Sequence, residues 1–132
     1  MVRVSANWVP DRGEIIFIDH SPAKGHEIPD EHPMLVTSFK AFNEKTGIVI
    51  GFPMTHSQPH MAGNLFAFEL NKKTTPANTK LKIGPSYVLA FQPKSFDWRK
   101  RGARPHSWGA GYIDEVVKAL DIFDRISRPP SP

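Results

Sequence analysis

Apolar residues along this chain gather in short runs separated by polar or proline-rich stretches. Gly13–Asp19 (GEIIFID), Pro33–Phe39 (PMLVTSF), Ile48–Phe52 (IVIGF), Leu65–Leu70 (LFAFEL) and Tyr87–Phe91 (YVLAF) are rich in β-branched and aromatic residues, and each predicts a strand. Lys94–Trp98 (KSFDW) alternates well enough to add a sixth. Proline supplies the punctuation, 13 of 132 residues, because a residue without an N–H is confined to strand starts, edges and loops. Asn43–Gly47 (NEKTG), between the second and third runs, has the composition of a hairpin turn. The period changes only near the C-terminus. Ile113, Val116, Val117, Leu120, Phe123 and Ile126 follow three-and-four spacing, which predicts one amphipathic helix at about 114–127, with Asp114 capping its start and Arg125 and Arg128 suiting its C-terminal end. Residues 129–132 read as a disordered tail. Several short strands and one terminal helix predict a mainly β single domain over 1–128, a small barrel or half-open sheet.

Two connections are long for so small a scaffold. His20–His32 carries Pro22, Gly25 and Pro29, and Thr55–Asn64 carries His56, Pro59, His60 and Gly63. Loops of that kind are where binding and chemistry concentrate. Asn71–Pro85, rich in Lys, Thr and Asn, reads as solvated. The absence of cysteine excludes disulfide scaffolds, zinc–thiolate sites, iron–sulfur clusters and cysteine nucleophiles, and fits a reducing cytoplasm. No apolar run is long enough to span a bilayer, and Met1–Pro10 lacks the apolar region of a secretory signal.

Charge narrows the chemistry. Lysine and arginine number 17 against 13 acidic residues. Lys94, Arg99, Lys100, Arg101 and Arg104 stand within eleven positions, opposed only by Asp97 and interleaved with Phe96 and Trp98. Guanidinium groups beside aromatic rings suit a polyanion whose bases stack, hence single-stranded nucleic acid; a solvated charged turn is the plainer reading. None of the six histidines forms a pair on a predicted helix, and Pro59 interrupts His56 and His60, so the spacing gives no support to a metal site. Lys24–His32 (KGHEIPDEH) puts imidazoles and carboxylates on one loop, enough for a base and an acid.

Taken in order, Trp8–Gly13 (WVPDRG), Pro22–Glu27 (PAKGHE), His32–Pro33, Asn43–Gly47, Pro53–Thr55 (PMT), Gln92–Ser95 (QPKS) and Trp98–Ala103 (WRKRGA) resemble the MazF/PemK family of toxin endoribonucleases. The resemblance covers roughly residues 8–104. It implies an SH3-like β-barrel with a C-terminal helix, working in the cytoplasm as a homodimer. It implies metal-independent, sequence-specific cleavage of single-stranded mRNA through attack by the ribose 2′-OH, no cofactor, and a cognate antitoxin that neutralises the toxin. By position it assigns Thr55 as the catalytic threonine and Glu27, the acidic residue of the gating loop, as a further catalytic residue. Lys24, Lys94, Arg99 and Arg101 become the RNA-binding cations. One catalytic position departs from the family: where it places an arginine before the proline that opens the second strand, this chain has His32. Arginine is a permanent cation that forks onto phosphate, whereas histidine exchanges a proton near neutral pH. The reading taken here makes His32 the general acid/base; the alternative is a catalytically impaired barrel that only binds RNA or antitoxin.

Overall fold

One strand, Ile48–Thr55 (β3), organises the rest of the molecule. A computed structural model describes residues 6–56, 63–71 and 86–130. Before β3 come Ile15–Asp19 (β1), Glu31–Val36 (β2) and a short helix, Lys40–Thr46 (α1); after it come Ala67–Leu70 (β4), Ser86–Leu89 (β5), Lys94–Asp97 (β6), Arg104–Pro105 (β7) and the helix Ile113–Ser127 (α2). The antiparallel sheet runs β4-β5-β3-β2-β1-β7, and β6 also pairs with β3. Eight residues let β3 serve three neighbours: β6 along 48–51, β2 along 51–53 and β5 along 54–55. The result is the mainly β architecture with a C-terminal helix that the hydrophobic pattern predicts.

Both faces of this sheet are covered, which is why the strands read as continuous apolar runs. On one face Ile15, Leu35, Phe52, Met54, Phe68 and Val88 pack under Tyr112, Val116 and Ala119 of the α2 region. On the other, Ile16, Ile18, Met34, Val36 and Val49 pack with Val9, Phe96 and Trp98. Phe52 and Phe68 are buried, whereas Phe17 is half-buried and stacks against His106 and the Arg104 guanidinium. Gly51 is required where β3 crosses β2, since a Cβ there would stand 2.2 Å from the Leu35 carbonyl oxygen.

Three local expectations are corrected. Asn43–Gly47 is not a hairpin turn but the end of α1, so α2 is not the only helix. Gly47, at φ 74°, is its left-handed C-cap. The helix forms without a side-chain N-cap because Asn43 is fully buried and tied down. Its Nδ2 donates to the Pro10 and Ser38 carbonyls, and its own carbonyl accepts from the Trp98 indole. Trp98 is thus a packing anchor. Asp114 does not cap α2; Tyr112 holds that position, and Asp114 lies in the first turn, where its charge still favours the helix dipole. The two-residue β7 has no counterpart in the sequence reading. His60, most of Asn71–Pro85 and residues 131–132 lie outside the described residues.

Candidate active site

Strand pairing sets His32 and Thr55 at the same end of the β2–β3 ladder. Met34, Leu35 and Val36 of β2 face Pro53, Phe52 and Gly51 of β3. The ladder ends at Met34 and Pro53, with His32 two residues before it on β2 and Thr55 two residues after it on β3. Alternation assigns the face: His32 falls in step with Met34 and Val36, and Thr55 with Pro53, Gly51 and Val49, on the side of the second core cluster. Lys94 faces Gly51, in step with Phe96, and so joins them on that side. Thr55 is 6% exposed, a floor residue at the end of β3, opposite Tyr87; His32 is half-buried.

Two further groups close around this face. Arg101 stacks over Phe96 at 4.2 Å, and its Nη1 donates to the carbonyls of Asp19 and Ser21 at 3.0 and 2.5 Å. Its charge is therefore held in a fixed direction. His20, which as a loop histidine reads as surface, is instead 1% exposed, edge-on to Phe96 at 5.2 Å and to His32 at 6.2 Å. Sequence reasoning missed it. The signal lay in its place one residue beyond β1, where Ile18 pairs with His32.

The long loop between β1 and β2 is held against the strands rather than hanging free. Gln92 clips it, donating from Nε2 to the His26 carbonyl at 2.9 Å and accepting at Oε1 from the Ile28 N–H at 3.3 Å. A cleft of about 380 Å³ results, lined by His26, Glu27, Phe91, Gln92, Pro93 and Lys94. Glu27 is exposed and accepts the Lys24 backbone N–H at 2.9 Å, which closes the turn carrying Lys24. Arg99 departs from the other cations. It stacks over Trp98 at 4.1 Å and lines a separate cleft of about 630 Å³ with Trp8 and Glu44. Arg104 reaches across Phe17 to pair with Glu31, and that bond holds the Glu31 carboxyl below its usual range.

Burial fixes the charge state of His20. Desolvation disfavours the imidazolium and pulls its pKa from 6.5 down to about 4. The unfolded chain therefore takes up this proton first as pH falls. Stability supplied by neutral His20 is complete above about pH 6.5 and is lost progressively towards about pH 4, a span worth roughly 3 kcal/mol. Burial raises the Glu14 pKa, a contribution of the opposite sign, so the comparison is made against His20→Gln, which shares it. Denaturant melts at pH 7 and pH 4.5 are expected to show the parent losing about 2 kcal/mol more than the variant; equal losses would contradict the assignment.

Comparison with known proteins bears on what this face does. Residues 11–123 match the family described as PemK-like, MazF-like toxin of type II toxin–antitoxin system. The chain is 33% identical over 114 residues to the endoribonuclease toxin MazF of Escherichia coli (strain K12), spanning 86% of this chain and 92% of that protein. Among solved structures it is similar to MazF from Deinococcus radiodurans, with a TM-score of 0.73 and 27% identity over 91% of this chain and 97% of that one. It is also similar to a MazE–MazF structure from the same organism, with a TM-score of 0.68 and 22% identity over 94% and 100% of the two chains, a likeness that bears on the fold alone.

Proposed function

The chain belongs to the PemK-like, MazF-like toxins of type II toxin–antitoxin systems, and from that premise we propose that it is a metal-independent endoribonuclease that cuts single-stranded mRNA at short sequence motifs. The observation that supports this reading is the β2–β3 register, which leaves His32 and Thr55 two residues beyond the same end of the ladder, on the face that alternation also gives Lys94. In the reaction the ribose 2′-oxygen attacks the adjacent phosphorus, the O2′–P bond forms and the P–O5′ bond breaks. The products are a 2′,3′-cyclic phosphate and a 5′-hydroxyl. The proton that leaves the 2′-OH and the proton that the departing 5′-oxygen gains are the two transfers to be catalysed. His32 supplies the imidazole that acts as general acid/base in these transfers. The Thr55 hydroxyl donates to a non-bridging phosphate oxygen, and Lys94 and Arg101 offset the charge that grows on the phosphorane. Lys24 and Arg99 extend the contact with the RNA backbone, and Glu27 holds the loop that borders the groove.

Cleavage of a long RNA by the purified protein tests this reading. Discrete cuts in single-stranded regions and none in duplex are expected. RNA that binds yet stays uncut would overturn it and leave a binding-only barrel, the reading that histidine in the arginine position otherwise favours.

The cations give a second readout. Each phosphate contact removed lowers the slope of log affinity against log salt by about 0.7 for a single strand. Lys94→Gln and Arg101→Gln together are expected to flatten that slope by roughly 1.4. Adding Arg99→Gln changes it less, because that guanidinium lies over Trp98. A salt slope unmoved by the first pair would place the RNA elsewhere.

A protein partner fits the same scheme. Ile113, Val117 and Leu120 form an exposed apolar stripe on α2, and Leu65 and Phe66 are exposed beyond β3. Apolar surface of this kind marks protein contacts and supports a homodimer whose groove a cognate antitoxin covers in the cytoplasm.

A further inference from the structure

The turn after β1 buries an imidazole beside His32, and no step of the reaction above uses it. His20 Nε2 lies 3.2 Å from the His32 carbonyl oxygen. A carbonyl only accepts, so this contact assigns the proton to Nε2 and leaves Nδ1 a bare lone pair. That Nδ1 is buried with no hydrogen-bond partner among the described residues, and so is Nδ1 of His32. Buried polar atoms are nearly always paired. A phenylalanine or leucine would fill the same space without burying a bare nitrogen, so packing alone does not account for histidine here.

The surroundings hold His20 from both sides. Its backbone N–H donates to the Asp30 carbonyl at 2.7 Å. Arg101 grips the carbonyls of Asp19 and Ser21, its two neighbours in sequence. The charged or titratable groups facing its ring are His32 from β2, Lys94 from β6 and Arg101 from the turn that follows β6. All of these are cationic or become so on protonation, and Phe96 covers the remaining side. Among the described residues, nothing acidic faces the ring to stabilise a second imidazolium.

We propose that His20 is a positioning residue for His32: its Nε2–H holds the His32 carbonyl, and with it the start of β2, where the His32 ring meets the scissile phosphate. This rests on the reading of His32 given above. Nε2–H donates whatever the state of Nδ1, so the anchor does not slip during turnover. Small displacements of a reacting group are costly, up to about 100-fold in rate for 1 Å.

His20→Phe keeps the ring and removes the donor. It is expected to lower kcat for RNA cleavage about tenfold with KM unchanged. His20→Gln, whose amide nitrogen reaches about as far as Nε2, is expected to restore most of that loss. A Phe variant with the parental kcat, or a Gln variant no faster than the Phe variant, would overturn the proposal. His32→Ala, measured alongside, separates the two readings. A slow His32→Ala beside an unimpaired His20→Phe removes the role of His20 alone, whereas His32→Ala at the parental rate removes both. Nitrogen NMR of the parent protein tests the same anchor even if His20→Phe does not fold. A neutral Nε2–H imidazole between about pH 8 and 5, absent from His20→Gln, is the expected signal. An Nδ1–H tautomer, or titration of His20 near the unperturbed value of about 6.5, would overturn it.

Discussion

His32→Ala is expected to slow single-turnover cleavage by about 10²–10³-fold, the usual loss when a positioned acid/base is removed, and to weaken RNA binding far less. The split follows from where the residue sits. His32 lies at the start of β2, pinned by Ile18 across the ladder and by His20 at its carbonyl, so its truncation removes a reacting group without loosening the core. Lys94 and Arg101, the cations proposed to hold the backbone phosphates, are untouched by it. His32→Arg restores the residue type of the family at this position and sharpens the test. Arginine offers a permanent charge and two donors but no proton exchange at working pH. It is therefore expected to retain part of the rate while losing whatever pH dependence the imidazole contributes. A His32→Ala protein that cleaves at the parental rate would remove His32 from the mechanism.

Gly51→Ala is expected to be the most damaging single methyl added to this barrel. Its Cβ would meet the Leu35 carbonyl oxygen at 2.2 Å and the Leu35 carbonyl carbon at 3.1 Å. These are backbone atoms of the neighbouring strand and cannot rotate away. Gly51 is also the residue at which β3 pairs with Val36 of β2 and with Lys94 of β6, so relief on one side strains the other. Overpacking of this kind costs about 3 kcal/mol, which for a domain of this size lowers Tm by roughly 10 °C. The adjacent Ile50→Ala, a partly exposed site, is the control and is expected to cost much less. A Gly51→Ala protein that melts with the parent would show that the two strands part more easily than their packing implies.

The sequence was readable where one physical rule governed a whole segment. Proline spacing and β-branched runs located six strands because strand position depends on local composition and on the missing proline N–H. The period of α2 was equally plain. What escaped the reading was what distant partners decide. α1 is seven residues without a capping side chain, too short to stand alone. It persists because Asn43 bonds to a carbonyl 33 residues away and accepts from an indole 55 residues away. Gly47 carried half the signal, a left-handed position, which serves a helix end as readily as a hairpin. The candidate site divides in the same way. His32 and Thr55 were legible through family resemblance, and their placement at one end of the β2–β3 ladder follows from a register that alternation restricts. His20 was not legible, because a lone histidine after a strand becomes a buried neighbour of His32 only once β1 and β2 are paired. Arg99 and Arg101 look equivalent in the basic cluster, yet the turn after β6 sends one to Trp98 and the other to Phe96.

The central claim is that this barrel face cuts RNA through the substrate's own 2′-OH, with His32 and Thr55 as its working groups. The most direct measurement is cleavage of a long single-stranded RNA by the purified protein in excess EDTA, followed by analysis of both new ends. Fragments with a 2′,3′-cyclic phosphate on one side and a 5′-hydroxyl on the other, lost with Thr55→Ala and slowed with His32→Ala, are the predicted result. Cleavage that requires a divalent metal, or that leaves a 5′-phosphate, would contradict the account.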